Sequence, residues 1–251
     1  VDSPKAVERA LQHLEAVRLL LDEGAPVDGA TGYGLTALML ACASGRFSMV
    51  ELLLERGADP KASSDIGLTA LVMASDKGHL QAVQRLLAAA ADPNHRYGAG
   101  KTPLMGAAAL GYTAVVSALL EHRADANAVS ADGHFALLYA VEKELKDGLV
   151  CPIEGDFVQK PGAEDTVRAL LLGSANPNLA GPGMQTALHV ACASGSSALA
   201  QLLLDGGAAP GARDDNGLSP AGRLERCRVK WCRKGKPVAG DSPEPLKVAG
   251  S

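Results

Sequence analysis

The chain has 251 residues, of which 47% are apolar and only 3% aromatic, and its formal net charge is −4. A core made mainly of alanine, leucine and valine favours short helices packed closely together, and the five cysteines have neither disulfide nor zinc spacing. No apolar run approaches the length of a membrane span and no signal peptide is present, which predicts a cytoplasmic protein in a reducing compartment.

A short helical segment is predicted to begin seven times along the chain. The seven positions are Ser3, Thr36, Thr69, Thr102, Phe135, Thr186 and Ser219. Successive positions are 33 residues apart, except for one interval of 51 residues, which equals the repeat plus an insertion of 18. A period of this length is typical of stacked repeats and argues against most enzymes. Because the chain starts with Val1 and its first repeat lacks the usual lead-in, we interpret the chain as an excerpt or a processed fragment of a longer protein.

Each repeat predicts two short helices joined by a glycine turn. In the second repeat Thr36 is placed to cap the first helix, because its hydroxyl can accept from free amides of the first turn, and Gly45 ends that helix. A second helix with apolar residues at helical spacing follows and ends at Gly57, a position suited to left-handed backbone. Such a unit is too small to be stable alone, so neighbouring repeats must stack into an elongated array.

These segments resemble ankyrin repeats. That family places T-P-L-H-x-A on the first helix and V-x-x-L-L-x-x-G-A-D on the second, and this chain contains GLTALMLACASG with VELLLERGADP, GKTPLMGAAALG with VVSALLEHRADAN, and MQTALHVACASG with LAQLLLDGGAAP. The resemblance extends over residues 3–222. It implies an all-α solenoid of six to seven helix-turn-helix repeats with β-hairpin loops, forming an array over residues 1–222.

The middle repeats depart from the family pattern. Ala90, Arg123 and Ser174 replace the glycine that ends the second helix, and a residue with a Cβ held left-handed costs about 1 kcal/mol, so we expect a softer middle of the array. Phe135 replaces the capping threonine of the fifth repeat, which forfeits about 1 kcal/mol. Met184 replaces the hairpin glycine of the sixth repeat.

The 18 extra residues, 144–161, fall between the two helices of the fifth repeat. Extra loop length is thermodynamically inexpensive, so a neutral insertion is one interpretation. Six large or apolar side chains in the segment favour the other, a loop that contacts a partner or regulates binding. Both interpretations stay open at the level of sequence.

No motif predicts catalysis, a cofactor or a metal site. YGAGKT at residues 97–102 lacks the first glycine of a phosphate-binding loop, and the repeat register already assigns Gly100 to the hairpin and Thr102 to the helix cap. The six histidines show no metal-binding spacing. No nucleophile, base and orienting acid occur together, so we predict a protein that is not an enzyme.

The C-terminal segment is basic. Residues 223–236 contain seven basic residues and one acid, while the rest of the chain has 17 bases and 27 acids. We interpret residues 223–234 as a capping helix and residues 235–251 as a disordered tail. The alternative is a nuclear-import or nucleic-acid-binding segment, which would add a nuclear location. Cys227 and Cys232 lack further zinc ligands nearby.

The family resemblance implies a monomeric scaffold that binds another protein through the hairpin tips and the concave face of the first helices. A targeting module of a larger enzyme is a further alternative. The outward positions of the family pattern, carried onto this chain, are the predicted partner-binding residues: Tyr33, Leu35, Ser44, Asp65, Ile66, Leu68, Asp76, Lys77, Lys101, Leu110, His134, Glu142 and Lys143. Apolar members in repeats two to four suggest a hot spot, although isolated exposed apolar residues are also ordinary.

Overall fold

A computed structural model describes residues 4–147 and 163–232, with side chains described for 13–142 and 163–226. These residues form twelve α-helices and one 3-10 turn, Pro182–Met184, and no extended strand. The helices are α1 (Pro4–Asp22), α2 (Ala37–Ala43), α3 (Phe47–Glu55), α4 (Ala70–Lys77), α5 (Leu80–Ala88), α6 (Pro103–Leu110), α7 (Thr113–Glu121), α8 (Ala136–Asp147), α9 (Ala163–Leu172), α10 (Ala187–Ser194), α11 (Ser197–Asp205) and α12 (Pro220–Cys232). The predicted all-α repeat fold is confirmed.

The helices pack in two layers of nearest neighbours. The first helices of successive repeats, α2, α4, α6, α8, α10 and α12, pack against one another, and the second helices, α1, α3, α5, α7, α9 and α11, form the other layer. Within the second to sixth repeats the two helices also pack together. A continuous apolar core therefore runs along the stack between the layers, and each repeat is stabilised by its neighbours.

Threonine caps start most first helices, as the sequence predicts. The hydroxyls of Thr36, Thr69 and Thr102 each accept a hydrogen bond from the amide three residues later, at 3.3 to 3.4 Å. Thr186 differs because its own amide donates to Nδ1 of His189 at 3.2 Å, and Nε2 of the same ring donates to the Leu218 carbonyl at 3.1 Å. His189 therefore connects the sixth repeat to the next hairpin.

The fifth repeat begins differently. Phe135, which replaces the threonine cap, is only 1% exposed and belongs to the core. Helix α8 has 12 residues, against 7 in α2 and 8 in α4, so the predicted insertion begins as a continuation of this helix over residues 144–147. Residues 148–161 of the insertion lie outside the described residues, as do residues 233–234 of the predicted cap and the whole predicted tail, 235–251.

The three non-glycine residues at the ends of second helices keep the left-handed conformation. Their φ angles are 61° at Ala90, 64° at Arg123 and 66° at Ser174, close to 85° at Gly57. The hairpin residue Met184 is likewise left-handed, with φ of 55°. The repeat geometry is therefore the same with and without glycine, and these residues carry the strain that glycine avoids.

Asparagine side chains connect the loops of neighbouring repeats. Asn94 donates to the carbonyl of Arg123 at 3.1 Å, Asn127 to that of Ser174 at 3.1 Å, and Asn178 to that of Gly207 at 3.0 Å. Each asparagine oxygen also accepts from the backbone amide two residues beyond that carbonyl, at 2.6 to 2.7 Å. Two of the strained left-handed residues are thus held by hydrogen bonds from the preceding repeat.

An aromatic side chain of the next repeat packs against the turn glycine of the second repeat, and another packs against that of the third. A Cβ on Gly45 would lie 2.5 Å from Cε1 of His79, and a Cβ on Gly78 would lie 2.7 Å from Cδ1 of Tyr112. Both glycines have positive φ, 67° and 73°. Each needs to be glycine for two reasons, the backbone conformation and the space that the ring occupies.

The two ends of the array differ from its middle. Helix α1 begins at Pro4, near the predicted start of the first repeat, but it is a single helix of 19 residues in place of a helix pair. Helix α12 begins at Pro220 and continues through the predicted boundary between residues 222 and 223. Nε of Arg223 lies 2.5 Å from Oδ2 of Asp214, which attaches α12 to the last hairpin. Burial opposes ionisation of Asp214, but hydrogen bonds from Arg223 and two amides lower its pKa.

Candidate functional site

Backbone hydrogen bonds join the hairpin tips of neighbouring repeats in pairs. Isolated β-bridges close the hairpins of the second, third and fourth repeats, at Ala30 with Thr36, Ser63 with Thr69, and Tyr97 with Lys101. Neighbouring tips are joined by backbone hydrogen bonds from Asp65 to Tyr33 at 3.2 Å, from Ala131 to Ala99 at 2.8 Å, and from Asp215 to Gly183 at 3.1 Å. Because the backbone fixes the spacing within each pair, the side chains of the two joined tips form one surface.

Among the hairpin tips, those of the second and third repeats carry the most exposed apolar residues. Tyr33 is 78% exposed and Ile66 is 70% exposed, and Asp65 beside them is exposed as well. Ala99 and Asp132 occupy the equivalent tips of the fourth and fifth repeats. We call Tyr33, Asp65 and Ile66 the tip surface.

Other predicted residues line the first helices near this surface. Leu35 and Leu68 are half-buried beneath the tips, while Ser44 and Lys77 are exposed at the ends of α2 and α4. The hydroxyl of Ser44 donates to a backbone carbonyl of its own helix at 2.6 Å. Lys143 lies on α8, but its side chain is outside the described part of the chain.

The remaining predicted residues come together in one polar and aromatic group across repeats three to five. We call it the central cluster; its members are Asp76, Tyr97, Lys101, Gly106, Leu110, Asp132, His134, Tyr139 and Glu142. Only part of this group is included in the sequence prediction. Four members are absent from it: Tyr97, Gly106, Asp132 and Tyr139. Tyr97, Gly106 and Tyr139 supply the contacts that unite the others.

Asp76 and Tyr97 form the first half of the cluster. The tyrosine hydroxyl lies 3.3 Å from Oδ1 and 3.4 Å from Oδ2 of Asp76. Burial raises the pKa of Asp76, and the Tyr97 hydrogen bond and the charges of Lys101 and Lys77 lower it by smaller amounts. Burial and the adjacent carboxylate also raise the pKa of Tyr97, so the tyrosine remains the donor.

Tyr139 organises the second half. Its ring stacks on that of His134 with centroids 5.1 Å apart and planes inclined by 26°, and Nζ of Lys101 lies 5.3 Å from the ring centroid. His134 is also within 3.6 Å of Glu142 and 3.4 Å of Asp132. A hydrogen bond from Ser130 lowers the pKa of the exposed Asp132 carboxyl.

Gly106 lines a cavity in the middle of the cluster, and its lack of a side chain makes room there for the Asp76 carboxylate. The equivalent positions in neighbouring repeats are Met73 and Tyr139, so the first-helix face lacks one side chain here. A Cβ on Gly106 would lie 2.0 Å from Oδ1 of Asp76 and 3.1 Å from the Tyr97 hydroxyl. The cavity has a volume of about 200 Å³. Its other walls come from Lys101, Met105, Ala109 and Leu110.

Two sequence features could have revealed the missing residues. Position 97 corresponds to Thr31, Ser64 and Ser130, whose hydroxyls accept from a backbone amide four residues later in their own hairpins. A tyrosine at this position cannot make that short turn contact, so a different role could be expected. Gly106 similarly interrupts a series of large side chains in the interior of a helix, where glycine is unfavourable.

The described side chains show no group of histidine, cysteine or carboxylate residues that could hold a metal ion. Within the same part of the chain, no helix is long and apolar enough to cross a membrane. Cys42 and Cys192 are buried, which raises the pKa of both thiols, to about 12 at Cys42. These two cysteines are therefore core residues with little thiolate character.

Comparison with known proteins agrees with the repeat geometry. A family model described as ankyrin repeats, three copies, matches residues 5–64 and 71–149, and a single ankyrin repeat model matches residues 184–215. No curated protein sequence matches the chain. An ankyrin repeat domain from Acinetobacter baumannii is similar at 28% identity, with a TM-score of 0.70, over 80% of this chain and 95% of that domain. The ankyrin repeat domain of Bcl-3, a member of the IkappaB protein family, is similar at 26% identity, with a TM-score of 0.69, over 91% of this chain and 98% of that domain. The chain belongs to the ankyrin repeat family.

Proposed function

We propose that this chain is a non-enzymatic scaffold that binds a protein partner through the tip surface and the adjoining face of the first helices. Ankyrin repeats generally mediate protein–protein interactions. The observation that carries the proposal is the pair of exposed apolar side chains on adjacent tips, Tyr33 and Ile66.

The tip surface has the composition of an interface centre. An exposed tyrosine and isoleucine expose apolar area to water, and covering that area on binding is favourable. The hydrogen bond between Asp65 and the Tyr33 carbonyl holds the two tips together, so little conformational entropy is lost when a partner binds. Asp65 adds a charge at the edge, where it can contribute to specificity.

The test compares the tip surface with an equally exposed apolar residue on the outer layer. Ile66→Arg places a charge on the tip surface, and Leu172→Arg makes the same change on α9, where the leucine is 82% exposed. Partners captured from a cell lysate are identified by crosslinking mass spectrometry with each variant. We expect Ile66→Arg to remove a partner that Leu172→Arg retains, with equal thermal stability of the two variants.

Retention of every partner by Ile66→Arg would contradict the proposal, as would loss of the same partner in both variants. Leu110→Glu extends the test to the first-helix face, because Leu110 is 44% exposed at the end of α6. If the interface is continuous from tip to helix, this variant weakens the same partner as Ile66→Arg.

We also propose that α12 is the C-terminal cap of the array. Its contacts with α10 and the Arg223–Asp214 pair support this role. Asp214→Ala should then loosen α12, seen as faster amide exchange in residues 220–232 than in α10. Unchanged exchange in α12 would contradict the capping role of this contact.

A further inference from the structure

The cavity at Gly106 has one strongly polar wall. Of the side chains that the structure describes, only the Tyr97 hydroxyl donates to the Asp76 carboxylate, and both donor–acceptor distances exceed 3.2 Å. An ionised carboxylate can accept about four hydrogen bonds. Asp76 is half-buried, and its remaining acceptor positions are used by no other described group of the protein, so a ligand in the cavity can donate to them.

The charge of Asp76 is only partly compensated. Burial is the largest influence on its pKa and acts against ionisation, whereas Lys101 and Lys77 contribute smaller opposing effects. Neither lysine is within ion-pair distance of Asp76 in the described structure. Lys101 instead faces the Tyr139 ring, which already interacts with its positive charge.

We propose that this cavity binds an arginine side chain of the protein partner, with its guanidinium paired to Asp76. The aliphatic part of that side chain lies against Ala109 and Leu110, which form the apolar wall. This inference rests on the proposed function, because the cavity opens on the same first-helix face, and it specifies what one residue of the partner must be.

Three comparisons between side chains that could pair with Asp76 favour arginine. A guanidinium is planar and can donate to both carboxylate oxygens at once, and it is less strongly hydrated than an ammonium group. An acidic side chain would be repelled by Asp76. An apolar side chain would cover the carboxylate without supplying a hydrogen bond, which costs free energy.

The test uses capped single amino acids as probes, so no partner is needed. N-acetyl-arginine methylamide is titrated into the whole labelled chain and followed by NMR at the amides of Gly106 and Leu110. The controls are the matched citrulline compound, which has the same shape without the charge, and the matched lysine compound. One side chain should bind with a dissociation constant on the order of millimolar.

Two variants locate the site. Asp76→Asn removes the charge and keeps the shape. Gly106→Ala places a methyl group where the Asp76 carboxylate now lies, so the Asp76 side chain must leave its present position. Gly32→Ala is the matched control, because a Cβ there meets nothing within 4 Å. Amide spectra outside the cluster establish that each variant is folded.

We expect the arginine probe to shift the Gly106 and Leu110 amides, with at least tenfold weaker binding of citrulline and at least tenfold weaker arginine binding in both cluster variants. Gly32→Ala should bind as the unchanged chain does. Equal binding of arginine and citrulline, tighter binding of lysine, or an unaltered affinity in Asp76→Asn would each overturn the inference. None of those outcomes would contradict binding through the tip surface, because Ile66→Arg tests that proposal separately.

Discussion

The second and fifth repeats reach the same backbone geometry with different residues. The second has Thr36 as its helix cap and Gly57 at the end of its second helix, with φ of 85°. The fifth has Phe135 and Ser174 at these positions, and Ser174 is still left-handed, with φ of 66°. The conformation of the fifth repeat therefore does not come from its local residue preferences.

Tertiary contacts replace those preferences in the fifth repeat. Phe135 is buried in the core, and the side chain of Asn127, in the loop that follows the fourth repeat, hydrogen-bonds to the carbonyl of Ser174. In a stacked array each repeat is held on both sides, so neighbours can impose a backbone conformation that one sequence disfavours. Local preference and packing are thus separable, and substitutions can distinguish them.

Substitutions at the starts of the first helices should show the largest difference in the free energy of unfolding between the two repeats. Phe135→Ala should lower the free energy of unfolding by about 3–5 kcal/mol, because it empties a fully buried site. Thr36→Ala should lower it by about 1 kcal/mol, the usual effect of losing a cap. Urea unfolding measures both. Equal losses would mean that the packing of Phe135 does not stabilise the fifth repeat.

The asparagine contacts should have the next largest effect. Asn127→Ala removes hydrogen bonds to the Ser174 carbonyl and the Asn176 amide and should lower the free energy of unfolding by about 1–2 kcal/mol. Asn216→Ala is the control, because that exposed side chain makes no hydrogen bond in the described structure, and it should cost less than about 0.5 kcal/mol. Similar values for the two variants would show that the asparagine bridge is not stabilising.

Substitutions at the ends of the second helices should change the free energy of unfolding in opposite directions in the two repeats. Ser174→Gly relieves left-handed strain and should raise the free energy of unfolding by about 0.5–1 kcal/mol. Gly57→Ser introduces that strain in open space and should lower it by about 1 kcal/mol. Urea unfolding of both variants is the measurement. A loss in Ser174→Gly would mean that the serine is favoured at its position.

The smallest effect should be a pH-dependent one at the fifth hairpin. The Ser130 hydrogen bond lowers the pKa of Asp132 in the folded protein below its usual 3.8. The ionised Asp132 therefore stabilises the fold above pH 3.8, and this contribution is lost as the pH falls through the lowered pKa. Asp132→Ala should therefore lower the melting temperature slightly at neutral pH and not at strongly acidic pH. Tyr33→Ala at the equivalent tip is the control without a carboxylate. A difference that persists in acid would contradict this assignment.

Much of the fold follows from the 33-residue spacing, because caps, turn glycines and apolar faces recur with it. Helices α1 and α8 depart from this pattern, and both departures have the same cause. Gln12 and Glu144 occupy the positions that correspond to the turn glycine Gly45, and without a glycine the helix has no residue to end it. Helix α1 therefore continues through its turn, and α8 extends to Asp147.

The candidate site is predictable only in part. The register identifies tip positions such as Tyr33 and Ile66, because exposure there follows from the position within the repeat. The central cluster depends on contacts between repeats, such as the Tyr97 hydroxyl with Asp76, and on the space left by Gly106. Side-chain direction and empty volume are properties of the packed array and are not contained in a one-dimensional pattern.

The rings that pack on turn glycines have a consequence for exchanging modules. His79 fills the space over Gly45, and Tyr112 fills the space over Gly78, whereas the corresponding residue after the last turn is Ser196. If a repeat were moved to another position in the array, its ring would clash with a turn that cannot accommodate it, or the turn before it would lose the ring that packs against its glycine. The repeats share one backbone, but their order along the chain is specified by these matched surfaces.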